Sequence, residues 1–186
     1  MTATAVHTAA DGPLFLFAGR AFLTCDCEAL RDALLALKSS GQLPTWFQTA
    51  EWERALAISS VQMERESVRL FYHPAGAPCA PWQSVHSDEG VLMGRTHHDA
   101  MAWFRQAGLE PRTDTEPADH IGLLLTFYGR LLVEADVDPE QIEQFREQHL
   151  LWLRSFCSRL HEASRLEFFR LLSDLVGMLL HSEPGI

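Results

Sequence analysis

Positive charge is scarce in this 186-residue sequence, which carries 15 Lys and Arg side chains against 25 Asp and Glu, for a net charge of -10. Proteins bind duplex nucleic acid mainly through cations that neutralise its phosphates, so nucleic acid is not an expected partner. An anionic membrane surface is disfavoured for the same reason. An acidic surface suits a basic partner, and it equally serves to keep a protein in solution.

Long hydrophobic runs and a cysteine framework are also missing. A membrane-spanning helix needs about 18 or more consecutive apolar residues, which this chain lacks, so we expect no stable membrane insertion. A chain of this size needs no disulfides to hold its core, and we expect free thiols. Residues 1–11 contain no Lys or Arg and lack the basic start of a secretory signal, which favours a cytoplasmic protein. We expect residues 1–10 to be flexible. The scattered cysteines are Cys25, Cys27, Cys79 and Cys157.

Motifs of known enzyme chemistry are absent from the sequence. It has no Gly-x-Ser-x-Gly nucleophile motif, no His-Glu-x-x-His zinc motif and no phosphate-binding glycine pattern. Cys25 and Cys27 are too close together for a structural zinc pair. The adjacent His97 and His98 would point in different directions on a helix. We therefore expect no metal, no cofactor and no enzymatic activity.

Helical periodicity dominates most of the chain. We predict one all-α domain over residues 1–186, an irregular bundle of about six or more helices around a long central loop. Asp26 and Asp138 are expected to cap helices. Ser164 should cap the last helix, with Glu167 completing a capping box. The predicted helices are 14–37 as one or two helices, 46–70, 96–107, 117–133, 139–161 and 165–181.

The helical pattern stops between His73 and Gly94, where prolines and glycines rule out a regular helix. A loop of this length in a compact domain is uncommon and is more often functional than accidental. The loop follows the aromatic segment Arg69–Pro74 and contains Trp82. Rigid aromatic side chains of this kind bind peptides, and they equally serve as core residues that hold a loop in place. We predict a peptide-binding groove with these lining residues: Leu70, Phe71, Pro74, Pro81, Trp82, Ser84 and Val85.

The segment Glu116-Pro117-Ala118-Asp119-His120 predicts the start of a helix. Glu116 can cap this helix, Pro117 suits its first position, and Asp119 can accept backbone N–H groups there. His120 lies on the apolar face without such an explanation, which indicates a role in binding a ligand. An Asp-His pair also suits acid–base catalysis, so a small hydrolase or lyase is one alternative to a binding protein. A generic helical dimerisation module is the other.

These segments resemble the motifs of the TorD/DmsD family of redox enzyme maturation chaperones. That family has a Leu-Phe-x-Gly-Pro segment, a Pro-Pro-Trp-like loop, a Glu-Pro-x-Asp-His helix start and a late His/Trp/Phe group. The sequence differs from this pattern at His73, Ala80 and Gln83, where the family usually has glycine, proline and glycine. The four matching motif blocks are Leu70–Pro74, Ala80–Val85, Glu116–Gly122, and His149 with Trp152 and Phe156.

The resemblance implies an all-α cytoplasmic chaperone that binds the twin-arginine leader of a molybdenum-containing oxidoreductase subunit. Such a chaperone holds the precursor back from export until its cofactor has been loaded. Pro117 and His120 belong to the expected leader site, and the leader's apolar stretch would lie along the aromatic loop. The family includes domain-swapped dimers and members linked to guanine nucleotides, so the resemblance allows a homodimer. Arginine binds carboxylates in a bidentate fashion, and the candidate carboxylates are Glu116, Asp119, Asp88 and Glu89.

Overall fold

The predicted all-α fold is confirmed. The computed structural model describes these residues: 7–41, 43–88, 90–109, 116–134 and 136–181. Across these segments the regular structure is helical apart from one antiparallel bridge between Trp82 and His120. A π-helical turn, Val68–Tyr72, directly continues α4. None of the helices in these segments is long and apolar enough to cross a membrane. The helices are α1 Gly12–Leu23, α2 Cys27–Ser40, α3 Thr49–Ala55, α4 Ser60–Ser67, α5 Gln83–His86, α6 Arg95–Gln106, α7 Ile121–Val133, α8 Pro139–His149, α9 Leu153–Ala163 and α10 Glu167–His181.

Helices α1 and α7 pack against each other with glycines where their backbones meet. A Cβ atom on Gly19 would lie 2.8 Å from the carbonyl oxygen of Gly122, and one on Gly122 would lie 2.8 Å from the carbonyl oxygen of Gly19. Gly12 and Gly129 form a second such contact, at 3.0 and 2.9 Å. The absence of a Cβ is what lets the two backbones approach this closely. This contact fixes the position of α7, whose first residues lie next to the central loop.

Aromatic side chains fill much of the core around this helix pair. Phe71 is 2% exposed and packs edge to face against Phe169, with ring centroids 5.5 Å apart. Its neighbour Leu70 is completely buried. Both residues therefore anchor the start of the central loop to the core. Of the two roles that their sequence pattern suggested, this is that of core residues that hold the loop in place.

His7 lies within the segment that we expected to be flexible, and it is buried at 8% exposure. The carbonyl oxygen of Leu179 lies 2.7 Å from its Nε2, so that nitrogen is the donor. Its Nδ1 therefore accepts the hydroxyl proton of Tyr128 at 2.6 Å. Residues 1–6 lie outside the described part of the chain.

The predicted N-caps gave mixed outcomes. Asp26 caps α2 by accepting two backbone N–H groups of its first turn, and Asp138 caps α8 by accepting one, as predicted. The prediction for Ser164 was wrong, because its hydroxyl donates to the Leu160 carbonyl and the residue ends α9 instead. Serine can satisfy an acceptor of the preceding helix as readily as a donor of the next one, and here the preceding helix wins.

Three predicted helices differ from the structure by more than a shift of up to three residues at their ends. The range 46–70 contains two helices, α3 and α4, and the range 139–161 is broken at residues 150–152. The helix predicted to start at Pro117 begins at Ile121. In the first two cases the helix is interrupted although the apolar pattern continues. Periodicity alone does not detect such an interruption.

Replacing Gly122 with alanine should destabilise the fold, because the new Cβ would lie 2.5 Å from Leu23 Cγ and against the Gly19 carbonyl. Overpacking of this kind costs about 1–3 kcal/mol of unfolding free energy. Gly177 in α10 is the matched control, since nothing lies within 4 Å of its Cβ position. Alanine there should stabilise the helix by about 0.5–1 kcal/mol. Urea unfolding should show shifts of opposite sign, and two equal shifts would contradict the close helix contact.

Candidate functional site

The central loop is joined to the segment before α7 by a short antiparallel pairing between Trp82 and His120. The Ile121 N–H donates to the carbonyl oxygen of Pro81 at 2.8 Å. His120 is consequently extended, with φ -65° and ψ 132°, and the helix starts only after it. This pairing explains the late start of α7 and brings the second and third motif blocks into contact.

Asp119 holds both ends of the exposed part of the central loop. Its side chain is 0% exposed, and its Oδ2 accepts the Ser84 N–H at 2.7 Å and the Thr96 hydroxyl at 3.2 Å. Ser84 precedes and Thr96 follows the turns at residues 87–88 and 91–94. The Asp119 carbonyl oxygen also accepts the N–H of Gln83 at 3.1 Å. Burying a carboxylate without such donors would destabilise the protein, so the loop is held where its donors reach Asp119.

His97 lies beside the second carboxylate oxygen, with its Nδ1 3.8 Å from Asp119 Oδ1. The same Nδ1 accepts the N–H of Ala118 at 3.0 Å, so it carries a lone pair and the ring is neutral. Burial lowers the pKa of His97, and the charge of Asp119 raises it to a smaller extent. The contact is therefore not a salt bridge, and Asp119 Oδ1 has no hydrogen-bond donor although it is buried.

His120 is the N-cap of α7, which is the structural explanation that its sequence position lacked. Its Nδ1 accepts the Gly122 N–H at 3.1 Å, so the proton of the neutral ring is on Nε2, 3.5 Å from the Tyr72 hydroxyl. The ring is 1% exposed, and burial lowers its pKa to about 3. The Asp119 carboxylate bonds to the central loop rather than to this ring. The two side chains are therefore not arranged as an acid–base pair.

Glu116 lies at the surface, where two aromatic side chains hold its carboxylate. The Tyr72 hydroxyl donates to Oε1 at 2.8 Å, and the Trp82 indole N–H donates to Oε2 at 3.2 Å. The two rings meet edge to face, with centroids 5.6 Å apart and planes at 74°. Tyr72 is 39% exposed, and Trp82 and Glu116 are half-buried. A carboxylate with two donors still has lone pairs for further donors.

The fourth motif block contacts the central loop from α8 and α9. Gln83 Nε2 donates to the Gln148 carbonyl at 2.7 Å, so Gln83 Oε1 is an acceptor, and it takes the Nδ1–H of His149 at 2.8 Å. Trp152 stacks on His86 with ring centroids 4.8 Å apart and planes at 20°. The block in the central loop, Ala80–Val85, thus contacts each of the other three motif blocks.

The structure divides the predicted peptide-binding residues into a buried layer and an accessible surface. The buried members are Leu70, Phe71, Pro81, Ser84, Asp119 and His120. The accessible or half-buried members are Pro74, Trp82, Val85, Glu116 and Pro117. Among the other candidate carboxylates, Asp88 is exposed and Glu89 lies outside the described residues.

Three residues that organise this region were not among the predicted binding residues: Tyr72, Gln83 and Thr96. Tyr72 occupies the variable position of the first motif block, and its partner Glu116 follows 44 positions later in the chain. An aromatic residue at the end of a helix was its only signal in the sequence. Gln83 stood out in the sequence only as a departure from the family's usual glycine, and Thr96 gave no signal. The contacts of both residues depend on how the loop folds back.

The chain is similar in sequence and in fold to known proteins. Residues 28–158 match the family described as nitrate reductase delta subunit. The chaperone protein TorD of Vibrio vulnificus is 29% identical over 164 residues, covering 81% of this chain and 72% of the relative. TorD of Escherichia coli is 25% identical over 179 residues, covering 83% of this chain and 86% of the relative. A crystal structure from Archaeoglobus fulgidus, named as a redox enzyme maturation protein, has a TM-score of 0.68 at 22% identity and covers 98% of this chain and 99% of that chain.

These relatives are named as chaperones, so the class of this protein is a TorD-type chaperone rather than an enzyme. The chain belongs to the nitrate reductase delta subunit family, whose match covers well over half of its length. The Archaeoglobus structure shares its fold. The family predicted from the motif blocks is thereby confirmed.

Acid should destabilise the protein through its buried neutral histidines. Burial lowers the pKa of His149 to about 4, against smaller opposite effects of the Asp99 and Asp119 charges. An unfolded histidine titrates near pH 6.5, so the unfolded chain binds more protons as the pH falls from about 6.5 to about 4. Stability that is fully present above this window is lost within it. Between about pH 7 and pH 5, His149 should account for a loss of about 2 kcal/mol.

The variant His149→Gln isolates this contribution, since glutamine does not titrate. Urea unfolding of the variant should show a pH-dependent loss that is smaller than that of the wild type by about 2 kcal/mol over the same interval. Equal losses in the two proteins would mean that His149 is not held neutral by burial.

Proposed function

We propose that this chaperone binds the twin-arginine leader of a molybdenum-containing oxidoreductase subunit in the cytoplasm and assists cofactor loading before export. The motif resemblance and the relatives named TorD support this proposal. The observation that carries it is the surface carboxylate of Glu116, held between Tyr72 and Trp82. A leader of this kind carries paired arginines next to an apolar stretch, and the region offers a partner for each.

Glu116 is the proposed acceptor for a leader arginine. A guanidinium group binds a carboxylate through two parallel N–H donors, which gives both strength and direction. The donors from Tyr72 and Trp82 orient this carboxylate before any ligand arrives, so less ordering is required on binding. The net charge of -10 adds long-range attraction for a basic peptide.

The apolar stretch of the leader would lie along the accessible parts of Trp82, Val85 and Pro74. Proline and aromatic side chains lose little conformational entropy on binding, which suits them to such a surface. Leu70 and Phe71 lie beneath as buried residues and hold this surface in place.

Asp119 and His120 enter the proposal as positioning residues, because they are 0% and 1% exposed. Asp119 holds the central loop through Ser84 and Thr96. His120 caps α7 and lies beside the Tyr72 hydroxyl. Their replacement would weaken leader binding by displacing the accessible surface, and it would lower stability at the same time.

Synthetic twin-arginine leaders of molybdoenzymes from the same organism should bind the protein in calorimetric titrations. Glu116→Gln should weaken this binding by about 1.5–3 kcal/mol, the range for hydrogen bonds to charged groups. Glu140→Gln is the control, since it removes the same charge from an exposed position in α8. The control should bind the leader almost as the wild type does. Failure of the wild type to bind any such leader would contradict the proposed function.

Two aromatic replacements should separate the accessible surface from the buried layer. Phe71→Ala should cost about 3–5 kcal/mol of unfolding free energy, as expected for a fully packed aromatic residue. Trp82→Ala should cost less stability because Trp82 is only half-buried, yet it should weaken leader binding about tenfold or more. Urea unfolding and calorimetry measure the two effects. Normal leader affinity in Trp82→Ala would show that the peptide binds elsewhere.

A further inference from the structure

Tyr72 occupies the variable position of the first motif block, yet it forms one side of the surface around Glu116. It is the last residue of the π-helical turn that continues α4, and 39% of it is exposed. Its hydroxyl binds one carboxylate oxygen of Glu116, and the Trp82 indole binds the other. We refer to Tyr72, Trp82 and Glu116 together as the aromatic–carboxylate corner.

The corner leaves hydrogen-bonding capacity on both carboxylate oxygens. An ionised carboxylate has about four lone-pair sites, and the two aromatic donors occupy one on each oxygen. Each oxygen can accept another donor. A guanidinium group supplies a parallel pair of N–H donors with matching spacing, whereas an ammonium group is a point charge without this geometry.

The two rings give the corner a second means of recognising a guanidinium group. The rings of Tyr72 and Trp82 lie with centroids 5.6 Å apart and planes at 74°, so they form two sides of an angle next to the carboxylate. A cation within about 6 Å of an aromatic face is attracted to it, and arginine is found there more often than lysine. Arginine is also less strongly hydrated, so it gives up less solvation on entering such a site.

Buried residues hold the Tyr72 side chain in this orientation. The Nε2–H of His120 lies 3.5 Å from the Tyr72 hydroxyl oxygen, and His120 is itself fixed as the cap of α7. Burial, followed by the hydrogen bond to Glu116, raises the pKa of Tyr72. The hydroxyl therefore stays protonated near neutral pH and remains a donor to Glu116.

We propose that Tyr72 is a specificity-determining residue: the aromatic–carboxylate corner that it forms with Trp82 and Glu116 selects the guanidinium group of a leader arginine over the ammonium group of lysine. This inference rests on the proposed function and deepens it by assigning the arginine contact to one place. An apolar groove alone would not distinguish the two cations, so discrimination between them is the specific consequence.

The test compares two synthetic leaders that differ only in having both arginines replaced by lysines. Calorimetry should show that the wild type binds the arginine leader about tenfold more tightly or better. In Tyr72→Leu this ratio should fall towards one through a loss of arginine-leader affinity. Tyr72→Phe keeps the ring and loses the hydroxyl, so its ratio should lie between the two. Val68→Ala alters another exposed side chain of the same π-helical turn and should leave the ratio unchanged.

The outcomes separate this inference from the proposed function. If the wild type binds neither leader, both fail. If it binds both leaders equally, or if Tyr72→Leu weakens both by the same factor, the leader-binding function stands and the role of Tyr72 is overturned. Circular dichroism melting checks that the variants are folded. If Tyr72→Leu does not fold, the Tyr72→Phe variant decides. The inference is overturned if Tyr72→Phe binds each leader with the same affinity as the wild type does, and so has the same ratio of affinities.

Discussion

The buried carboxylate of Asp119 determines where the candidate site lies. One of its oxygens accepts donors from Ser84 and Thr96, which stand on either side of the exposed part of the central loop. The other oxygen has no donor, so the arrangement is not optimised for stability alone. Burying a carboxylate with incomplete hydrogen bonding lowers stability. The hydrogen bonds that Asp119 does make hold the loop in a fixed conformation. Trp82 lies beside Glu116 only as long as the loop keeps this conformation.

The fold connects this carboxylate to the surface through α7. Gly19 and Gly122 let α1 and α7 touch, which sets the position of the α7 N-terminus. His120 caps that terminus and faces Tyr72, which in turn binds Glu116 at the surface. A continuous series of contacts therefore leads from the glycines in the core, through the cap of α7, to the carboxylate at the proposed binding surface.

The helices were predictable from sequence because apolar periodicity and acidic N-caps act within a few residues, as Asp26 and Asp138 show. The start of α7 was not, since the backbone pairing with the central loop overrides the local preference of Pro117 for a helical first turn. The motif blocks could be found in the sequence because each is continuous, and their role in binding a peptide stays a prediction. The division into buried and accessible members and the contact of Tyr72 with Glu116 depend on tertiary packing, for which a single sequence gives no signal.

The central claim is that a leader arginine binds at the surface formed by Glu116, Tyr72 and Trp82, and site-directed crosslinking tests it most directly. A leader peptide would carry a photoreactive phenylalanine analogue next to its arginine pair, and mass spectrometry would locate the crosslinked residues. We expect them at Tyr72, Trp82 and Glu116. Crosslinks confined to the separate groove between α9 and α10, lined by residues such as Ser158 and Asp174, would contradict the account.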